Sequence, residues 1–74
     1  MKRIEVRAET QANVWQVRCA AGDRVAAGQE IVILESMKME IPVESPVTGV
    51  VRELRVAEGS PVKEGDVVAV LDHD

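Results

Sequence analysis

Hydrophobic and polar residues alternate along two early stretches of the chain, as they do in β-strands that bury one face. In residues 4–9, three apolar positions alternate with charged ones. We interpret residues 10–13 as a turn, after which a second alternation puts Trp15, Val17 and Cys19 on one side. No stretch keeps a helical period for ten residues. The pattern therefore predicts an all-β chain with no α-helix of consequence.

The later strands have a different pattern. Residues 31–34 form a continuous apolar run, which is typical of a strand covered on both faces. Pro42 cannot donate a ladder hydrogen bond, so residues 41–43 are expected at a sheet edge or a strand end. Thr48-Gly49 is interpreted as a turn that leads into residues 50–56, and a last apolar stretch, residues 67–71, completes the predicted strands.

The chain matches itself when it is shifted by 37 residues. The pattern Gly-x-x-Val-x-x-Gly occurs at residues 22–28 and again at residues 59–65. Other identical positions under the same shift include Arg18 and Arg55, Ala20 and Ala57, and Leu34 and Leu71. Each copy is too small to bury its own apolar face, so we expect the two to pair about a pseudo-two-fold axis. The 74 residues then form a single domain, residues 1–74, with the segment just beyond the first copy at the end opposite the termini.

Composition and charge narrow the function classes. Valine occupies fourteen positions, while phenylalanine and tyrosine are absent, which favours pleated sheet. The net charge of −4, with scattered signs, argues against a nucleic-acid binder. Cys19 is the single cysteine, so no internal disulfide forms. No apolar segment follows Met1, and none is long enough to span a membrane, so we expect a cytoplasmic protein without a membrane partner.

One short segment carries the candidate chemistry: Glu35-Ser36-Met37-Lys38-Met39-Glu40. It follows the most apolar run and precedes residues 41–43, which predicts a hairpin tip that holds the Lys38 amine in water. Lys38 has the alternative interpretation of an ordinary solvated lysine. Met37 and Met39 have the alternative interpretation of core filler, since methionine adapts to irregular gaps.

With the duplicated glycine pattern, the Met-Lys-Met tip resembles the modified-lysine hairpin of the biotinyl/lipoyl attachment family, over roughly residues 4–72. The resemblance implies a flattened β-barrel or sandwich of two four-stranded sheets, a barrel-sandwich hybrid with pseudo-two-fold symmetry. It implies covalent biotin on Lys38, with Met37 and Met39 beside the cofactor. Ligase recognition would fall to the flanking residues Glu35, Ser36, Met37, Met39 and Glu40.

The resemblance also implies a function. A biotin protein ligase would acylate the Lys38 amine. The ring on its flexible arm would then carry a carboxyl group between the biotin carboxylase and carboxyltransferase sites of a biotin-dependent carboxylase. The domain itself would be a carrier and not an enzyme, with no catalytic residue and no metal site, and a monomer in isolation. There is no room between Val14 and Gly22 for the protruding thumb found in the acetyl-CoA carboxylase carrier subunit of many bacteria. The chain therefore resembles small stand-alone attachment proteins or a terminal domain of a larger carboxylase.

Two alternatives stay open. The first is a lipoyl carrier with lipoate on Lys38, although lipoyl domains usually place an acidic residue before the lysine and a small one after it. At Ser36 many biotinyl domains carry alanine, so this position departs from the biotinyl pattern. The second alternative is an unmodified barrel that serves as an adaptor.

Overall fold

The computed structural model describes all 74 residues and contains eight strands and no helix. The strands are β1 (Lys2–Arg7), β2 (Ala12–Val17), β3 (Arg24–Val25), β4 (Glu30–Ser36), β5 (Met39–Glu44), β6 (Gly49–Leu54), β7 (Pro61–Val62) and β8 (Val67–His73). They form two four-stranded antiparallel sheets with the orders β1-β8-β6-β3 and β5-β4-β2-β7. We call the second the hairpin sheet and the first the terminal sheet. Since no strand pairing joins the two sheets, the molecule is a flattened sandwich and not a closed barrel.

The duplication in the sequence is a duplication of the fold. A shift of 37 residues carries β1 to β4 onto β5 to β8, strand for strand. The same shift converts the order of the terminal sheet into that of the hairpin sheet. Even the irregularities repeat, because a register shift between Val14 and Gln16 recurs between Val51 and Glu53. The predicted pseudo-two-fold arrangement of two four-stranded sheets is confirmed.

Glycine turns fasten the two copies together. Gly22 and Gly59 have φ values of 95° and 89°, in the left-handed region that glycine adopts without a steric penalty. Each donates its N–H to a carbonyl in the other copy: Gly22 to Val51 at 2.7 Å and Gly59 to Val14 at 2.7 Å. The repeated glycine pattern thus sets the contact between the halves as well as the turns within them.

The core lies between the sheets and consists mainly of aliphatic side chains. Residues 31–34 are all buried, as the continuous apolar run predicted. Strand β5 lies at the edge of its sheet, as expected for a strand that contains Pro42, which has no N–H to donate. The largest fully buried side chains are Ile31, Leu34, Leu71, Val14, Val25, Val32, Val51 and Val68.

Three details of the predicted strands were wrong. Strand β2 begins at Ala12, inside the predicted turn, and Ala12 and Val14 are its buried positions. The register shift after Val14 reverses the alternation, so Trp15 is 43% exposed although Cys19, predicted on the same side, is buried. Gly49 belongs to β6 and not to a turn, since it pairs with Val25, and a Cβ there would overlap the carbonyl oxygen of Asp72.

Candidate functional site

Strands β4 and β5 form a hairpin whose tip consists of two residues, Met37 and Lys38. The last paired residues are Ser36 and Met39. Met37 and Lys38 have φ values of 52° and 64°, so both central residues lie in the left-handed region. Positive φ at both positions is the requirement of a type I′ turn, which usually takes Asn-Gly. Here two residues with long side chains occupy it, at a cost of roughly 1–2 kcal/mol each.

The side chains of the tip point into solvent. Met37 is 92% exposed and Met39 is 64% exposed, so neither fills the core. Lys38 is exposed and takes part in no ion pair and no side-chain hydrogen bond. The hairpin therefore presents a free primary amine between two exposed thioethers.

The body of the hairpin holds this tip in place. Strand β4 lies between β5 and β2, and its Leu34 pairs with Ile41 and is 1% exposed. The predicted recognition residues lie directly above this anchored pair: Glu35 opposite Glu40, then half-buried Ser36 opposite Met39. A backbone with unfavourable φ and ψ angles persists only where the surrounding structure fixes it, and the buried strand β4 provides that constraint.

The hairpin tip and the termini lie at opposite ends of the molecule, as predicted. The pair Lys2 and His73 closes the terminal end of the terminal sheet. Strand β1 then runs to its far end at Arg7, and a short connection leads to Asn13, which pairs with Glu35 beside the tip. One length of the sandwich therefore separates the termini from Lys38, in a molecule whose longest dimension is 37 Å.

The remaining reactive side chains do not converge on the tip. Cys19 is buried, and this burial, together with the nearby Asp23 carboxylate, raises the pKa of its thiol above the ordinary value. The single histidine, His73, lies at the terminal end. No group of three or more histidine, cysteine, aspartate or glutamate side chains is placed to hold a metal ion. The structure also contains no helix that is long and apolar enough to cross a membrane.

Sequence reasoning missed one exposed residue on the hairpin sheet, Trp15. Its placement on the same side as Val17 and Cys19 concealed that the only tryptophan of the domain lies at the surface. The self-comparison contained a signal, because the shift of 37 aligns Trp15 with Arg52, a charged residue that is also exposed. A tryptophan in register with an arginine marks a surface position and not a core position.

Comparisons with known proteins match this geometry over most of the chain. A family model described as "Biotin-requiring enzyme" matches residues 5–71. The chain is 46% identical over 70 residues to the biotin/lipoyl attachment protein of Bacillus subtilis (strain 168), covering 95% of this chain and 96% of the relative. It is 45% identical over 67 residues to the biotinylated protein TB7.3 homolog of Mycobacterium leprae (strain TN), covering 90% and 94%. The crystal structure of Kluyveromyces lactis urea carboxylase superposes with a TM-score of 0.90 and 32% identity, over 97% of this chain and 6% of that one.

Proposed function

Because this chain belongs to the biotin/lipoyl attachment family, we propose that it is a biotin carboxyl carrier domain, modified on Lys38. The observation that carries the proposal is the two-residue tip. It exposes Lys38 on a strained, firmly anchored turn between Met37 and Met39. The other two lysines have no comparable setting, since Lys2 begins an edge strand and Lys63 lies in a glycine turn.

The surroundings of Lys38 suit a covalently attached group. Its amine has no carboxylate partner to displace, and no side chain of the core covers it. When biotin is attached, its ureido ring supplies the position that accepts and releases a carboxyl group. The chain contributes a fixed origin for the arm, and a tethered group reaches two active sites without dissociating, at a high effective concentration.

Biotin is the cofactor that we favour over lipoate. The M. leprae relative bears the name of a homolog of a biotinylated protein, and one structural neighbour is a urea carboxylase. The methionines on both sides of Lys38 also resemble the biotinyl pattern more than the lipoyl one. The description of the B. subtilis relative includes both cofactors, which keeps lipoate as the second candidate.

The partners follow from this proposal. A biotin protein ligase would approach Glu35, Ser36, Met37, Met39 and Glu40, which surround the amine. A biotin carboxylase and a carboxyltransferase would then act in turn on the modified arm. The domain would supply no catalytic group, and a cytoplasmic location remains a prediction.

A reconstituted reaction tests the proposal. The biotinylated domain is mixed with a biotin carboxylase, ATP and labelled bicarbonate, and label on the domain is measured. We expect labelling of the wild-type domain and of a Lys63→Arg control, and none of a Lys38→Arg variant with an unchanged melting temperature. Label that persists in Lys38→Arg, or ATP turnover by the isolated domain, would contradict the carrier assignment.

A further inference from the structure

The two sheets share one fold but differ in the charges at equivalent surface positions. In the terminal sheet, Arg3 pairs across the strands with Asp72, with a nitrogen-to-oxygen distance of 4.0 Å. The equivalent pair in the hairpin sheet is Glu40 with Glu35, two carboxylates directly opposite each other. Like charges in that position destabilise a sheet. The fold does not require two opposed carboxylates at this position, because the equivalent pair in the terminal sheet has opposite charges.

The same asymmetry extends along the whole hairpin. Glu30 pairs with Glu44, the second pair of opposed carboxylates, and of these two only Glu30 has a cation nearby, Arg18 at 3.7 Å. The segment from residue 30 to residue 44 carries four glutamates and one lysine, a net charge of −3. The terminal sheet places three cations and two anions in its equivalent strands: Lys2, Arg3, Arg7, Glu5 and Asp72.

Apolar surface is also distributed unequally. On the outer face of the hairpin sheet, Ile33 lies between Pro42 and the bulge that contains Trp15. Ile33 is only 7% exposed yet lies outside the cluster of core residues, whereas Trp15 is 43% exposed. The shift of 37 places Arg52, Val70 and Glu5 at the three equivalent positions of the terminal sheet. The hairpin sheet therefore carries an exposed indole among carboxylates where its counterpart carries two charged residues.

The distance from this patch to Lys38 indicates which partner would cover it. Pro42, in the row of Trp15, is four residues from Lys38 along β5, or about 13 Å at the rise of a strand. A partner interface of standard size, about 800 Å² on each side, has a radius of about 16 Å. Trp15 lies on β2, two strands or about 10 Å across from β5, which places it about 16 Å from Lys38. An enzyme that acylates the amine must bring its active site to Lys38, and an interface of that size centred between the two residues would include both. An enzyme that acts on the ring at the end of the flexible arm does not need to contact the domain this closely.

We propose that the outer face of the hairpin sheet is the docking surface of the modifying ligase, with Trp15 seated in an apolar pocket that basic side chains surround. This inference rests on the proposed biotin carrier function. The ligase cations would neutralise the opposed carboxylates, which cost the free domain stability. Exposed tryptophans at the centre of interfaces frequently dominate the binding energy.

Ligase kinetics test this surface. The rate of biotin incorporation is measured against carrier concentration for the wild-type domain, Trp15→Ala and the matched variant Arg52→Ala on the other sheet. We expect Trp15→Ala to raise KM at least about tenfold with little change in kcat. Arg52→Ala should remain within about twofold of wild type, and higher salt should raise the KM of all three. An unchanged KM for Trp15→Ala would overturn the proposal.

A second measurement does not depend on a Trp15 variant that folds. The domain contains one tryptophan, so 5-fluorotryptophan labels Trp15 alone. Its fluorine resonance should shift saturably when unlabelled ligase is added to the Lys38→Arg domain, and an unmoved resonance would contradict docking at this face.

Other occupants of the patch would produce different results. A Trp15→Ala domain that is biotinylated normally but is carboxylated poorly would assign the face to the carboxylase and overturn the ligase proposal. Self-association of the wild-type domain that Trp15→Ala abolishes would assign it to a second copy. If an active ligase failed to modify the wild-type domain at all, the carrier function itself would be wrong, and this docking surface with it.

Discussion

Relief of backbone strain at the hairpin tip should stabilise the domain. Met37 has a φ of 52°, a conformation that costs an L-residue roughly 1–2 kcal/mol. Glycine adopts it freely but loses roughly 0.5–1 kcal/mol more conformational entropy on folding. The Met37 side chain is 92% exposed, so its removal sacrifices almost no buried surface. For Met37→Gly we therefore expect a gain in the free energy of unfolding of about 0.5–1 kcal/mol.

The gain is measurable by urea denaturation and by thermal melting, each followed by far-UV circular dichroism. In a domain of this size 1 kcal/mol corresponds to about 4–8 °C, so the melting temperature should rise by about 2–8 °C. Met39→Gly is the matched control, because Met39 is also an exposed methionine but lies in β5. Glycine in a strand is unfavourable, so this control should lose roughly 0.5–1 kcal/mol.

Opposite signs for the two methionine variants are the decisive feature. A Met37→Gly domain that is equal to or less stable than wild type would refute the inference that the tip stores strain. It would also remove the physical basis for regarding the Lys38 turn as held in place by the rest of the hairpin.

Three further predictions concern other parts of the domain. Gly49→Ala should lower the free energy of unfolding in urea by about 1–3 kcal/mol, because its Cβ would overlap a carbonyl oxygen of the neighbouring strand. Gly22→Ala has open space around its Cβ and should lower the same free energy by only about 1 kcal/mol, through its positive φ. The pKa of the Cys19 thiol is raised by burial in the folded state, so its contribution to stability is complete below the pKa of the unfolded thiol. That contribution is lost as the pH rises through the pKa of the folded thiol. The free energy of unfolding, measured across alkaline pH, should therefore fall more steeply for wild type than for Cys19→Ala. Equal slopes for the two proteins would contradict this prediction. Glu40→Arg should stabilise the domain by about 0.2–1 kcal/mol at low salt by giving Glu35 an opposite charge, and a loss of stability would show that the opposed carboxylates carry no penalty.

Most of the fold follows from the sequence because it is encoded twice. The shift of 37 relates glycine turns and apolar strands at once, so each copy supports the assignment of the other. The start of β2 was still missed, because Ala12 and Asn13 resemble turn residues while the pairing of β2 with β7 makes them strand. Likewise Gly49 has a turn-like sequence, but the close approach of Asp72 requires the absence of a side chain there.

The candidate site was predictable in position but not in energetics. The two central residues of the turn, Met37 and Lys38, are neither glycine nor asparagine, so the sequence gives no sign of positive φ. Only the structure reveals that both residues lie in the left-handed region. The opposition of Glu35 and Glu40 likewise depends on the register of β4 and β5. Trp15 was concealed by a bulge, which reverses the alternation that a period of two would continue.

Biotin on Lys38 is tested by the intact mass of the protein purified from its native host, followed by peptide mapping. We expect the added mass of one biotinyl group, located on Lys38, and none on a Lys38→Arg variant. The mass of a lipoyl group would replace the biotin carrier by a lipoyl carrier on the same lysine. Biotin on Lys2 or Lys63, or a chain that remains unmodified beside an active ligase, would contradict the account.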